Sequence, residues 1–384
     1  MDFSLSDEQL KICQAIEELC RTNLNDNVFK HDEQCMFPRS KWDKCAEIGI
    51  QGLPIPEEYG GCGQGMLTTA LAIKSLALAC KDEGLVFSIV AHMATCAVPL
   101  WLFGSEEQKN VYLPKIASGE SIGGNGITEA GAGSDTTSMS TSVIADSEAY
   151  ILNGTKIFVT NAPEADLLII YAKHPGGLKM LDTSAFIILK DAGDIKIGQK
   201  FEKMGLRTST ISEVILDNCR VPRDRMLGRE RFGMSIFNES MVWERILMSA
   251  YHLGAMEQQY KEVLQYANIR KQFGKKIAEF ESVYGKLVEM RMRIESSRLM
   301  LYKTCWDFDN GKKSMAKASM LKLHSSEGKV KNSLDAVQIL GAYGYMKESM
   351  AEKQLRDSIA AKIYSGTSEM QNRIIAQGLE ELDD

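Results

Sequence analysis

The distribution of proline constrains the fold of this chain more than any other feature of its sequence. Eight prolines occur in 384 residues, and the last is Pro222, so residues 223–384 contain none. Because proline breaks the interior of a helix, this stretch permits long helices. Apolar residues recur there at helical spacing, as in the set Val283, Leu287, Met290, Ile294, Leu301 and Cys305. The C-terminal part of the chain is therefore predicted to be helical.

The region 121–228 has the pattern of short strands separated by turns. Runs of β-branched and aromatic residues lie at 167–171, 185–189 and 214–216. Two further runs of this kind flank Asn153-Gly154, a dipeptide that predicts a tight hairpin turn. Together these patterns predict a compact antiparallel barrel or sandwich.

The beginning of the chain returns to helical patterns. Ser6 precedes Asp7 and Glu8, an arrangement typical of a helix N-cap followed by an acidic first turn. The predicted fold class is α+β, mostly α. The predicted domains follow one another in the order helical, β and helical, at residues 1–120, 121–228 and 229–384.

The composition excludes several classes of protein. Apolar residues make up 44% of the chain and charged residues 25%, which excludes a disordered or fibrous chain. The net charge of −6 disfavours a general nucleic-acid binder. The N-terminus is acidic and no run approaches the ~18 apolar residues of a membrane helix, so we expect a cytoplasmic protein without membrane contact. The nine cysteines lack metal-ligand spacing, so we expect no metal and mostly buried, reduced thiols.

Two stretches of the sequence suit ligand binding as well as ordinary structure. Ile127–Asp135 is rich in small and hydroxyl residues, whose backbone can approach an anionic ligand closely. It lacks the spacing of a Rossmann or Walker A loop. Ile363–Gln371 interrupts two helical patterns, and Gly366 and Thr367 suit the end of one helix and the cap of the next. A flexible loop and a plain helix cap therefore remain alternatives for these stretches.

A third stretch, Met241–Met248, places Glu244 and Arg245 inside a strongly apolar helical run. A solvated glutamate, or an internal ion pair with Arg245, is the ordinary interpretation. Desolvation also raises the pKa of a carboxyl group, which is how a general base is made. The residues alone leave both interpretations open.

In order and spacing, these stretches resemble the signatures of the acyl-CoA dehydrogenase family over nearly the whole chain. Further segments that are similar to that family are Gly52–Gly61, Lys156–Asn161, Arg270–Gly274 and Gln338–Gly341. The resemblance implies a helical domain, a central antiparallel β-barrel and a C-terminal four-helix bundle. It also implies FAD, a homodimer or homotetramer, and α,β-dehydrogenation of an acyl thioester.

The family pattern implies roles for individual residues around the flavin. Thr128 is expected at the edge of the ring, Phe158 stacked on the ring where the family often has Trp, and Thr160 near N5. The implied cofactor-binding residues are Thr128, Gly133, Ser134, Phe158, Thr160 and Thr367 within one subunit, and Arg270, Gln272, Phe273, Gln338 and Gly341 from a neighbouring subunit.

One departure from the family pattern bears on the catalytic base. Common members carry a catalytic glutamate directly before Gly366, where this chain has Ser365. A serine cannot take an α-proton unaided at neutral pH. A minority of members place the base on another helix, at the position that Glu244 matches. The resemblance therefore implies Glu244 as the base and the backbone N–H of Ser365 as a donor to the thioester oxygen.

Trp243-Glu244-Arg245 together with Ser365–Ser368 resembles one subgroup, most nearly its anatoxin-type members. That subgroup oxidises L-prolyl groups tethered to the phosphopantetheine of an acyl or peptidyl carrier protein. The resemblance implies a flavoenzyme of secondary metabolism that gives a pyrroline or pyrrole thioester. The alternatives are a short or branched-chain acyl-CoA dehydrogenase that uses Glu244, and a relative that binds FAD or a partner without catalysis.

Overall fold

The structure, a computed structural model, describes residues 4–176, 181–191 and 195–382. The predicted domains also contain residues 1–3, 177–180, 192–194 and 383–384, which lie outside the described residues. The helices of the N-terminal part are α1 (Asp7–Leu19), α2 (Val28–Glu33), α3 (Arg39–Glu47), α4 (Met66–Ala79), α5 (Glu83–His92), α6 (Val98–Phe103) and α7 (Glu106–Ala117).

Helix α1 begins where the sequence analysis predicts. The Ser6 hydroxyl accepts the Gln9 N–H at 3.2 Å, and Gln9 Oε1 accepts the Ser6 N–H at 3.0 Å. These reciprocal bonds satisfy two N–H groups that the first turn leaves unpaired. The helix then packs against α4 and buries Ile16.

A continuous helical segment, Glu83–Phe103, joins α5 to α6 through a π-helical turn at Met93–Ala97. Its 21 residues are long and apolar enough to cross a membrane by length and composition. The prediction that no run approaches such a length is therefore wrong. The segment packs against α4, the long helix Gly233–Ile269 and the strand Gly123–Gly126, and 89% of its most apolar window is buried inside the protein. Its apolar sequence is thus explained by a place in the core.

The middle region forms a mixed sheet of eight strands within the described residues. They are β1 (Gly123–Gly126), β2 (Ser142–Ala145), β3 (Ala149–Thr160), β4 (Leu167–Lys173), β5 (Thr183–Leu189), β6 (Ile195–Lys200), β7 (Ile211–Pro222) and β8 (Met226–Leu227). The strand order is β6-β7-β3-β2-β4-β5-β8, with β1 beside β4. The strands predicted from apolar runs are confirmed as β4, β5 and β7. The sheet is not wholly antiparallel, because β1 and β2 both pair in parallel with β4.

The hairpin predicted at Asn153-Gly154 is wrong. Both residues lie inside β3, which runs unbroken between β2 and β7. The register with β7 shifts between Leu152 and Gly154, so the dipeptide marks a β-bulge instead of a turn. A Cβ at Gly154 would lie 2.4 Å from Thr141 Oγ1, and this close approach requires glycine.

The proline-free region forms long helices, as predicted. They are α8 (Gly233–Ile269), α9 (Glu281–Asp309), α10 (Met315–Leu340), α11 (Ala342–Tyr345), α12 (Met350–Ile359) and α13 (Ser368–Gln377), with two short strands after α8, β9 (Lys271–Gln272) and β10 (Lys275–Lys276). Helix α10 packs against α8, α9, α12 and α13, and α8 also packs against α4. Because α8 contacts both helical regions, its buried half lies in the centre of the protein.

Candidate active site

Glu244 lies on the buried half of α8. All residues of Met241–Met248 are buried, and Glu244 is 7% exposed. Its Oε1 accepts a hydrogen bond from Ser365 Oγ at 2.8 Å. Burial raises the pKa of Glu244, whereas the Ser365 hydroxyl and two nearby cations oppose that rise. The structure therefore places the two positions predicted for catalysis in direct contact.

Ser365 and Gly366 form a loop in the left-handed region of the backbone. Their φ angles are +56° and +90°, and a residue other than glycine rarely adopts such a value. A Cβ on Gly366 would lie 2.7 Å from Gln371 Nε2. The loop ends at Thr367, which caps α13 by accepting the Met370 N–H at 3.4 Å. The helix-cap interpretation of Thr367 is confirmed, and its contact with a cofactor stays a prediction.

Three side chains from three helices donate hydrogen bonds to the carbonyls of this loop. Lys322 Nζ on α10 donates to the Gly366 carbonyl at 2.7 Å, and Arg245 Nε on α8 donates to the Ser365 carbonyl at 3.3 Å. Gln371 Nε2 on α13 donates to both carbonyls, at 2.8 and 2.9 Å. Within the described residues no salt bridge joins Arg245 to Glu244, and the same guanidinium also donates to Met315 Sδ.

An aromatic pair adjoins the loop. Tyr364 packs against Phe87 of α5 with ring centroids 4.7 Å apart. Its hydroxyl lies 2.6 Å from His252 Nε2, and His252 Nδ1 lies 3.0 Å from Ser325 Oγ. Burial holds the pKa of His252 well below its usual value, so this imidazole is neutral. Sequence reasoning missed His252 and Phe87, because an isolated histidine and a phenylalanine in an apolar helix carry no local signal.

The loop Ile127–Asp135 is anchored by a buried ion pair. Glu129 Oε1 lies 2.7 Å from Lys156 Nζ on β3, and Oε2 accepts the Ser140 N–H at 2.6 Å. Burial raises the pKa of Glu129, but the bonds from Lys156 and Ser140 outweigh it and lower the pKa to about 2. In the sequence, Glu129 stands out only as one residue of the stretch Ile127–Asp135. Its anchoring role needs Lys156, which is 27 positions away in the chain.

Beyond this anchor the loop offers accessible backbone. A Cβ at Gly133 would meet no atom within 4 Å, and Ser134 is exposed. The Ile157 N–H donates to the Thr128 carbonyl at 2.8 Å, which ties the loop to β3. The structure thus places Thr128, Gly133 and Ser134 on one loop beside the strand that carries Phe158.

Phe158 and Thr160 lie at the end of β3. Phe158 is 57% exposed at a φ of +54°, and its ring centroid lies 5.4 Å from that of Phe201. Thr160, two residues further on, is half-buried. An exposed aromatic pair next to an open, glycine-containing loop suits the planar ring and the phosphates of a flavin dinucleotide. The residues present therefore fit the FAD that the family pattern implies.

The residues expected to act across a subunit interface lie on two exposed segments. Arg270 and Gln272 belong to the turn and hairpin after α8, whose tip Phe273 is 93% exposed at a φ of +49°. Gln338 and Gly341 lie at the C-terminal end of α10 and are also exposed. Neither segment is part of β3 or of the loop Ile127–Asp135. Their contact with a partner's cofactor stays a prediction.

Family models match all three parts of the chain. The acyl-CoA dehydrogenase N-terminal, middle and C-terminal domains match residues 6–120, 124–219 and 231–380. The L-prolyl-[peptidyl-carrier protein] dehydrogenase of Pseudomonas fluorescens is 40% identical over 380 residues, which cover 99% of this chain and 100% of that protein.

Two solved structures are also similar to this chain over nearly its whole length. The crystal structure of the prolyl acyl carrier protein oxidase AnaB has a TM-score of 0.96 and 41% identity, and covers 98% of this chain and 100% of its own. The structure of PigA with FAD and proline has a TM-score of 0.96 and 37% identity, with 99% of each chain covered. The likeness therefore extends over whole chains and includes a protein that binds FAD and proline.

Proposed function

Because this chain belongs to the acyl-CoA dehydrogenase family, we propose that it is an FAD-dependent oxidoreductase acting on an L-prolyl group that is thioester-linked to an acyl or peptidyl carrier protein. The product is a pyrroline or pyrrole carboxyl thioester in secondary metabolism. The observation that carries the proposal is the 2.8 Å hydrogen bond between Ser365 and buried Glu244. It joins a carboxylate on α8 to the position where serine replaces the family's usual glutamate.

Glu244 is the base in this proposal. The thioester carbonyl acidifies the α C–H bond, and a desolvated carboxylate with a raised pKa accepts that proton more readily than a solvated one. FAD, when bound, supplies the hydride-accepting chemistry. The Ser365 hydroxyl orients the carboxylate of Glu244. The backbone N–H of Ser365 stabilises the negative charge that develops on the thioester oxygen.

The cofactor site is shared between subunits in this proposal. The open loop and the exposed aromatic pair on one subunit support binding of the flavin and its phosphates there. The residues assigned to this part are Thr128, Gly133, Ser134, Phe158, Thr160 and Thr367. The exposed segments of a second subunit complete the site with Arg270, Gln272, Phe273, Gln338 and Gly341, and the exposure of Phe273 supports this assignment.

The finer architecture is also part of the proposal. We assign domains to residues 1–120, 121–228 and 229–384, supported by the end of α7, the span of β1 to β8 and the start of α8. We assign α8, α9, α10 and the α12–α13 pair to a four-helix bundle, and the mixed sheet to a flattened barrel. We place the enzyme in the cytoplasm, without nucleic-acid or membrane partners.

An exposed apolar stripe on α9 supports assembly into a homodimer or homotetramer. Its members recur at helical spacing and are each at least 46% exposed: Tyr284, Val288, Met292 and Leu299. We expect the double substitution Val288→Glu and Met292→Glu to lower the molar mass measured by light scattering. Glu289→Gln on the same helix is the control and should not. A double variant with the wild-type mass would show that another surface joins the subunits.

The Ser365 hydroxyl should set the acid limb of the pH–rate profile. Glu244 must be ionised to act as a base, so the rate of flavin reduction rises as pH increases through its pKa. Ser365→Ala removes a bond that favours the ionised form. We expect the limb to move to higher pH by about one unit. Ser365→Gly, which suits the positive φ, should give the same movement in stopped-flow measurements, and an unmoved limb in both variants would contradict this role.

The proposed function is tested by mixing the purified protein with candidate substrates in the absence of oxygen. L-prolyl-S-carrier protein should bleach the oxidised flavin, whereas free L-proline and a short-chain acyl-CoA should leave it coloured. Bleaching by the acyl-CoA alone would favour the acyl-CoA dehydrogenase alternative. A yellow protein that none of the three reduces would support binding without catalysis.

A further inference from the structure

Lys322 has no part in the proton transfer described above, yet its position in the active site is unusual. Its side chain is 0% exposed, and within the described residues no carboxylate forms a salt bridge with it. Its Nζ donates to the Gly366 carbonyl at 2.7 Å and lies 5.9 Å from the ring centroid of Tyr364. Burying an ammonium without a directly paired carboxylate is unfavourable. The contact it makes there is with the loop that carries Ser365.

We propose that Lys322 is a positioning residue for the base: by holding the Gly366 carbonyl, it keeps the Ser365 hydroxyl on the Glu244 carboxylate. This inference rests on the proposed function, because it assigns a part in the same reaction.

The conformation of the loop explains why it needs such support. Ser365 and Gly366 are consecutive residues at positive φ, and a non-glycine residue in that region persists only where its surroundings hold it. Arg245 and Gln371 hold the first carbonyl, and Lys322 and Gln371 hold the second. Because each peptide unit is planar, fixing both carbonyls fixes the backbone on either side of the loop. The direction of the Ser365 side chain follows from that backbone.

The charge of Lys322 also acts on the base. Burial and the nearby Arg245 guanidinium lower the pKa of Lys322 to about 7, and the three carboxylates that face it oppose this change: Glu244, Glu327 and Glu369. While Lys322 is protonated, its charge favours the ionised form of Glu244. Loss of Lys322 should therefore raise the pKa of Glu244, in the same direction as loss of the Ser365 hydroxyl.

A double-mutant cycle tests whether Lys322 acts through Ser365. We expect Lys322→Met to lower the rate constant of anaerobic flavin reduction by about 10- to 100-fold, to move the acid limb to higher pH, and to change KM by less than about threefold. In the Ser365→Ala background, at a pH above the acid limb where Glu244 is ionised with or without the charge of Lys322, the same substitution should cost no more than about threefold. A lysine with a merely structural role would give equal losses in both backgrounds.

Lys317→Met is the matched control, since Lys317 lies on the same helix but is 26% exposed and pairs with Asp307. It should leave the rate and the pH profile unchanged. If Lys322→Met does not retain FAD, Lys322→Gln keeps an N–H donor without the charge and should move the acid limb with a smaller rate loss. Equal losses in both Ser365 backgrounds, or Lys322 variants that behave like Lys317→Met, would overturn the inference. Failure of the wild-type protein to be reduced by prolyl-S-carrier protein would count against the proposed function instead.

Discussion

Glu244→Gln is expected to slow the reduction of the flavin by L-prolyl-S-carrier protein by about 10²- to 10⁴-fold. The amide has nearly the shape of the carboxylate but cannot accept the α-proton. Its oxygen can still accept the Ser365 hydroxyl, which lies 2.8 Å from Oε1 in the native protein, so the loop should keep its geometry. Stopped-flow absorbance under anaerobic conditions measures the rate, and the visible spectrum reports whether FAD is retained.

Glu239→Gln is a suitable control for this experiment. Glu239 lies on the same helix, is 26% exposed and pairs with Lys313. Its loss removes one negative charge near the site without removing the base, so the rate should stay at the wild-type value. Full-rate reduction of the flavin by Glu244→Gln would show that another group removes the proton.

Glu129→Gln is expected to lower the free energy of unfolding by about 3–5 kcal/mol, because it leaves Lys156 buried without its counter-charge. The two side chains are 5% and 0% exposed. The double variant Glu129→Gln and Lys156→Met should be less destabilised than the single variant. Denaturant titration measures both. Since the anchored loop is assigned to the flavin phosphates, the single variant should also bind FAD more weakly.

The contribution of ionised Glu129 to the free energy of unfolding depends on pH with a defined sign. The pKa of Glu129 is lowered to about 2, so its stabilisation is present above the usual glutamate pKa and is lost as pH falls toward 2.

The more exposed pair of Glu164 and Lys200, with side chains 27% and 52% exposed, provides the control for Glu129→Gln. Glu164→Gln should cost about 1 kcal/mol or less. If Glu129→Gln cost no more than this control, the loop would not depend on the buried pair.

The fold was predictable where a local pattern agrees with the tertiary packing. The absence of proline after Pro222 and the apolar spacing around Met290 predicted the long helices. Asn153-Gly154 does not form the predicted hairpin turn because β3 pairs with a strand on each side, and that pairing outweighs a local turn preference. The length of the apolar segment Glu83–Phe103 was missed because polar residues such as Ser88, His92 and Thr95 interrupt it, although its average hydropathy is high.

The site was predictable where a residue type departs from a family pattern. Serine at 365 implied that a base lies elsewhere, and the resemblance to a minority of family members implied position 244. The structure places these two residues in contact, and their catalytic roles stay predictions. The contacts that hold the loop beside Glu244 and Ser365 were not predictable, because they join residues far apart in the chain. Lys322 is 44 positions from Gly366, and His252 is 112 positions from Tyr364. Such contacts leave no periodicity or motif in the sequence.

Removal of hydrogen from a carrier-bound prolyl group is the step that defines the proposed function. The most direct test is the intact mass of the carrier protein after one anaerobic turnover, compared with the amount of flavin bleached. We expect a prolyl-carrier lighter by two hydrogen atoms for each flavin reduced, with the unloaded carrier unchanged. An unchanged mass with the flavin still oxidised, in a protein that a short-chain acyl-CoA does bleach, would contradict the proposed function.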